Sequence, residues 1–88
     1  MSYFLDFTDK AKQDIDALQK AGNKVVLNKL FTLLVEISEH PFTGTGRPEL
    51  LKHSLSGCWS RRINREHRLV YNVDEGIINI LSVRGHYL

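Results

Sequence analysis

Of 88 residues, only one is cysteine, one tryptophan, one methionine and two are proline. A lone Cys58 excludes an internal disulfide. With no second thiol near a histidine pair it also excludes a thiolate zinc site, so the expectation is a reduced thiol within a strand. No apolar run approaches the roughly 20 residues of a membrane-spanning helix, and the opening MSYFLDF lacks the basic and apolar regions of a secretory signal. A cytoplasmic protein without membrane contact is expected. The length suits one small core and is too short for two, which predicts a single domain over residues 1–88. Arginine is missing from residues 1–46, which carry five lysines and six acids. All six arginines fall in residues 47–88, where seven cations face four carboxylates. The modest net charge of +2 therefore conceals a basic half.

Hydrophobic periodicity divides the chain into helices first and strands afterwards. Residues 3–7 (YFLDF) read as a short strand, and Thr8 is placed to cap a following helix with Asp9 in its first turn. Ala11, Ile15, Leu18 and Ala21 recur at helical spacing until Gly22 interrupts them. Asn23 then caps a second helix with Val26, Leu30, Leu33, Leu34 and Ile37 on its apolar face, ending before Pro41. The Gly- and Pro-rich stretch 41–48 is a loop. Its Gly44-Thr45-Gly46 reads as loop flexibility in preference to a phosphate cradle, because the rest of a dinucleotide or P-loop pattern is missing. Beyond Leu51 the period becomes two: Trp59, Arg61 and Ile63 alternate with Ser60 and Arg62, and Leu69, Tyr71 and Val73 with Arg68, Val70 and Asn72. Asn64-Arg65-Glu66 and Asp74-Glu75-Gly76 are turns, and Ile77 to Val83 suits a central strand covered on both faces. The expected fold is α+β, with an N-terminal strand and a helical hairpin packed on a twisted antiparallel sheet.

The basic half also holds the proton-transfer groups Glu49, His53, His67 and His86. Guanidinium forks suit phosphate oxygens, and imidazole titrates near neutrality. RNA cleavage without a metal needs a base for the 2′-hydroxyl, an acid for the leaving 5′-oxygen, and cations for the charge between them. Glu49 is the candidate base, His86 the candidate acid, and Arg62, Arg68 and Lys52 the candidate clamp. Arg61 and Arg62 face opposite sides of one strand, so one serves RNA and the other packing or surface charge. Arg68 has a competing reading as an ion-pair partner of Glu66 or Asp74. Trp59 and Tyr71 are read as core, His67 as a sheet or surface histidine, and His40 as a helix-end residue. Spacing alone does not show that these groups converge.

The segments Gly46-Arg47-Pro48-Glu49-Leu50-Leu51-Lys52-His53, Leu55-Ser56-Gly57-Cys58-Trp59-Ser60-Arg61-Arg62-Ile63, Glu66-His67-Arg68-Leu69-Val70-Tyr71 and Arg84-Gly85-His86-Tyr87 together resemble the Txe/YoeB toxins of the RelE superfamily. The resemblance implies a microbial-ribonuclease-like fold and a ribosome-dependent messenger-RNA interferase, the toxin of a type II toxin–antitoxin pair. By position it implies Glu49 as general base, His86 as general acid and Arg68 as stabiliser of the transition-state phosphate. Arg62, Lys52, His53 and Tyr87 become substrate contacts, and no metal or cofactor is implied. The implied partners are a YefM-type antitoxin, the ribosome with its message, and a second copy in a homodimer; operator DNA would be bound through the antitoxin. The sequence departs from the family pattern at Cys58, where an aromatic residue is usual, and at Leu88, which extends past the terminal Tyr. Two competing readings are a module that only binds nucleic-acid backbone and a chain retained for antitoxin binding after loss of activity.

Overall fold

The computed structural model describes residues 2–85. Strand β1 (Phe4–Phe7) leads into helices α1 (Asp9–Lys20) and α2 (Lys24–Glu39), and four strands follow: β2 (Glu49–Leu50), β3 (Trp59–Arg62), β4 (Arg68–Asp74) and β5 (Ile77–Ser82). A short 3-10 turn, His53–Leu55, lies between β2 and β3. Among the described residues no helix is long and apolar enough to cross a membrane.

The helix boundaries have local causes. Thr8 Oγ1 accepts the Ala11 amide at 3.1 Å, and Asn23 Oδ1 accepts the Val26 amide at 3.4 Å, so each helix start has one of its free donors satisfied by a side chain. Between the helices Gly22 adopts φ +69°. Its amide donates to Gln19 O and the Asn23 amide to Leu18 O, both interactions closing the end of α1. The turn lets α2 double back on α1, which sets the apolar faces of both helices toward one side of the sheet.

The sheet runs in the order β1-β5-β4-β3-β2. Four strands are antiparallel, as expected, but β1 lies parallel to β5, with Phe4 opposite Ile77 and Phe7 opposite Ile80, so the sheet is mixed. The physical reason is connectivity. Compact turns force β3, β4 and β5 to reverse direction, and the two-residue Glu75-Gly76 turn has both φ values positive (43° and 84°), the twist a tight hairpin requires. No turn joins β1 to β5. Its direction is set instead by pairing and by Thr8, whose amide donates to Ile80 O at 3.0 Å and whose hydroxyl donates to Leu81 O at 3.0 Å.

Leu30, Leu33 and Ile37 of α2 meet Leu69 and Tyr71 of β4 and Ile78 and Ile80 of β5, all fully buried. Each such aliphatic side chain contributes about 1.5–3 kcal/mol by leaving water. Strand β5 departs from the double covering expected of it. Ile78 and Ile80 are buried but Ile77 is exposed, so β5 is central in strand order yet covered by helices on one face only.

Candidate functional site

The uncovered face of the sheet carries the site. Opposite residues in an antiparallel pair point the same way, and alternate residues along one strand share a face. Glu49 lies opposite Ser60, and Arg62 opposite Arg68. The register therefore puts Glu49, Ser60, Arg62 and Arg68 on one face, while Arg61, Leu69 and Tyr71 point into the core. A cavity of about 90 Å³ is lined by Gly46, Arg47, Glu49, Ser60, Arg62 and Arg68. The expected base and two of the three expected clamp cations, Arg62 and Arg68, thus share one cavity.

Its electrostatics favour an anion. Arg62 and Arg68 are directly opposed like charges, an arrangement that costs free energy unless something negative lies between them. Arg68 forms no ion pair with Glu66 or Asp74, and its Nη1 is buried with no hydrogen-bond partner among the described residues. A buried, unpartnered donor is costly, and a phosphate oxygen would satisfy it. Three guanidinium groups form a donor set suited to a phosphodiester, and the Glu49 carboxylate beside them is an acceptor able to take a proton.

Lys52 and His53 do not line this cavity. They border an adjoining groove of about 360 Å³, lined by residues 49–55, which shares Glu49 with the smaller cavity. His53 adopts φ +60° and Arg47 φ +54°, so non-glycine residues in left-handed conformations stand on either side of β2. Such conformations cluster at functional sites. Ser60 and Arg47 line the cavity but received no role from the sequence. Ser60 was reachable by alternation, two residues from Arg62 in β3, whereas Arg47 lies before β2 in a left-handed conformation that alternation does not reach. His86 and Tyr87, the expected acid and positioning residue, lie outside the described residues.

Arg61 fixes the loop that delivers Glu49. Its side chain is fully buried. Nε donates to Tyr71 Oη at 3.1 Å, one terminal nitrogen pairs with Glu36 and reaches Thr45 O at 3.3 Å, and the other donates to His40 O and, at 2.7 Å, to Thr43 O. The Tyr71 hydroxyl in turn donates to Pro41 O at 2.6 Å. One guanidinium thus ties the end of α2 and residues 40–45 to the underside of β3. The Gly44-Thr45-Gly46 stretch, expected as flexibility, is a close-packed crossing. At Gly44 (φ +118°) a Cβ would collide with the Glu36 carboxylate, and at Gly46 (φ +84°) it would lie 2.8 Å from Arg62 O. The Arg62 amide donates to Gly46 O at 2.7 Å, which couples this crossing directly to the cavity.

Three other residues were read from sequence. Trp59 is half-buried against the core and stacks at a tilt on Phe42, ring centroids 5.2 Å apart. Cys58 is a free, half-buried thiol placed just before β3 instead of within it. His67 is buried and not at the surface.

Burial pushes the Glu36 carboxyl upward. The Thr45 amide and hydroxyl and the Arg61 charge outweigh it and hold the group below its ordinary 4.5. A carboxylate lowered on folding contributes stability above its unfolded value, and that contribution is lost as pH falls through the folded one. Thermal midpoints measured from neutrality down to about pH 3 should therefore fall once the pH passes below about 4.5. Glu36→Gln should be less stable than the parent at neutrality, and the gap should close in acid; a gap independent of pH would refute the assignment.

The chain matches, over residues 7–87, the family model of the YoeB-like toxin of bacterial type II toxin–antitoxin systems. It is 44% identical over 81 residues to Toxin YoeB of Synechocystis sp., covering 92% of this chain and 93% of that one. It is also similar to the structure of the YoeB dimer from Staphylococcus aureus, with TM-score 0.86 and 40% identity over 99% of this chain and 100% of the other. The YoeB–YefM complex from the same organism superposes with TM-score 0.85 and 41% identity, covering 99% of this chain and 100% of that chain.

Proposed function

Because the chain belongs to the family of YoeB-like toxins of bacterial type II toxin–antitoxin systems, we propose that it is an endoribonuclease that cuts messenger RNA in the ribosomal A site and so stops translation. The observation that carries this reading is the single cavity shared by Glu49 and the opposed pair Arg62 and Arg68, with the Arg68 Nη1 unpartnered. In the proposed reaction Glu49 takes the proton of a ribose 2′-hydroxyl, and that oxygen attacks the adjacent phosphorus. The bond from phosphorus to the 5′-oxygen breaks, His86 donates a proton to the departing oxygen, and the products are a 2′,3′-cyclic phosphate and a 5′-hydroxyl end. Arg68 and Arg62 neutralise the charge that accumulates on the phosphorane, and Tyr87 orients the nucleotide. Lys52 and His53, in the groove beyond Glu49, hold the flanking backbone.

A cavity of about 90 Å³ takes little more than the scissile phosphate and so gives little control over the angle of 2′-hydroxyl attack. The ribosome supplies that alignment by holding the codon in place, which converts a poorly ordered encounter into an oriented one. The staphylococcal relative is seen as a dimer and in complex with YefM. For this chain we propose the same two partners: a second copy, and a YefM-type antitoxin whose acidic segment covers the arginine-bearing face and blocks RNA directly. Operator DNA would then be bound through the antitoxin, in a cytoplasmic setting.

The test is induced expression with mapping of transcript 5′ ends, alongside purified protein acting on translated and on naked message. Cuts should fall within translated codons, disappear from untranslated regions, and occur far more slowly on naked RNA. Equal rates on naked and translated message would remove the ribosome from the proposal.

A further inference from the structure

His67 has no part in the reaction above, yet it is buried just before β4 with a relative exposure of 9%. Its backbone is fixed first. Asn64 Oδ1 accepts the Glu66 and His67 amides at 2.9 and 2.8 Å, and the Ile63 amide donates to His67 O at 3.0 Å. The ring then receives a bond: the Gly85 amide donates to His67 Nδ1 at 2.9 Å. An amide can only donate, so Nδ1 must present its lone pair, and the single ring proton of the neutral imidazole resides on Nε2. The carbonyl of Gly85 is also engaged, accepting the Arg68 amide at 3.0 Å. Gly85 is therefore held on both its polar groups by consecutive residues, His67 just before β4 and Arg68 at its start, and Arg68 supplies the unpartnered Nη1 of the cavity. Two residues earlier, the Val83 amide donates to Asp14 Oδ2 of α1 at 3.1 Å.

We propose that His67 is a positioning residue: by accepting the Gly85 amide on an unprotonated Nδ1, it anchors Gly85 beside Arg68, one peptide bond before His86 in the sequence. The proposal rests on the reading of His86 as general acid. Protonation of His67 turns Nδ1 into a second donor facing the Gly85 donor, so the anchor is lost on the acid side. Glu66 Oε2 lies 3.9 Å from Nε2 and favours a cation. Lys10 of α1 and Arg84 of the C-terminal segment line the same cavity of about 510 Å³ and oppose one, while Asp14 is committed to Lys10 and to Val83.

Three substitutions separate anchoring from mere packing. Asparagine places an acceptor oxygen close to where Nδ1 stands and does not titrate. Glutamine moves the acceptor outward, and leucine removes it. In a reconstituted translation assay His67→Leu and His67→Gln are expected to lose kcat by about 10- to 100-fold with KM nearly unchanged, as expected when a reacting group is misplaced. His67→Asn should stay within about threefold of the parent, and its rate should hold to lower pH because the titrating anchor is gone. A loss in His67→Asn equal to that in His67→Leu, or an unshifted acid limb, would overturn the proposal. A second arm needs no catalysis. Long-range proton–nitrogen spectra of the full chain should show His67 as the neutral form protonated on Nε2, and the Gly85 amide should exchange slowly, both features disappearing together on acidification. A proton on Nδ1 at neutral pH, or free exchange at Gly85, would refute the anchor even in an active enzyme. If the parent protein fails to cut translated message at all, the ribonuclease reading falls, and the spectra alone decide the anchor.

Discussion

Glu49→Gln is expected to slow cleavage of translated message by about 100- to 10,000-fold, the range that a positioned general base contributes. The substitution keeps shape and removes only the capacity to take a proton. Glu49 is exposed on a two-residue strand, and no ion pair or side-chain hydrogen bond holds its carboxylate among the described residues. Stability should therefore change by no more than about 0.5 kcal/mol, as for other surface substitutions. The binding side has a distinct sign. Removing one negative charge from a cavity lined by Arg47, Arg62 and Arg68 makes it more cationic. KM should hold or fall while kcat collapses: a held KM marks an interaction used only in the transition state, and a lowered one the tighter ground-state binding of a more cationic cavity. A module that merely bound RNA backbone would instead keep or strengthen its effect on growth. Single-turnover cleavage of ribosome-bound message and thermal melts on the same preparation would check both halves. A kcat within threefold of the parent would remove Glu49 from the chemistry.

Arg61→Met should produce the largest loss of stability of any single arginine replacement in the chain. Removing one partner from a buried charge pair typically costs about 3–5 kcal/mol. Here the change also strips hydrogen bonds from Tyr71 Oη and from the carbonyls of His40, Thr43 and Thr45. Methionine fills much of the volume, so the deficit reflects lost polar partners more than a void. For a domain this small the thermal midpoint should drop by at least about 12 °C. Arg62→Met, one residue away on the opposite face, should change stability little while weakening RNA contact. Urea denaturation of the two variants side by side would expose the contrast, and equal midpoints would show that the strand's two faces had been misassigned.

The same pair of arginines shows what a sequence reveals and what it withholds. Alternation alone separated Arg61 from Arg62, because side-chain direction in a strand is a local property. Caps at Thr8 and Asn23 and the interruption at Gly22 were visible for the same reason. What stayed hidden was set by distant partners. The direction of β1 depends on a contact spanning 73 residues, the role of Gly44 on a carboxylate in α2, and the orientation of the His67 ring on a glycine 18 residues further along. The candidate site follows this division. Glu49, Arg62 and Arg68 could be named from motif and charge, but their convergence required the strand register. Lys52 and His53, named from the same motif, border the neighbouring groove instead.

The parallel seam between β1 and β5 also bears on how the molecule comes into being. Vectorial synthesis makes β1 first and its ladder partner β5 only after both helices and three other strands, so the sheet stays open until that whole stretch has emerged. Long-range pairing of this kind also slows folding after release. For a protein proposed to attack ribosomes, the wait for β5 opens an interval in which a partner already present can capture a chain whose sheet is still incomplete.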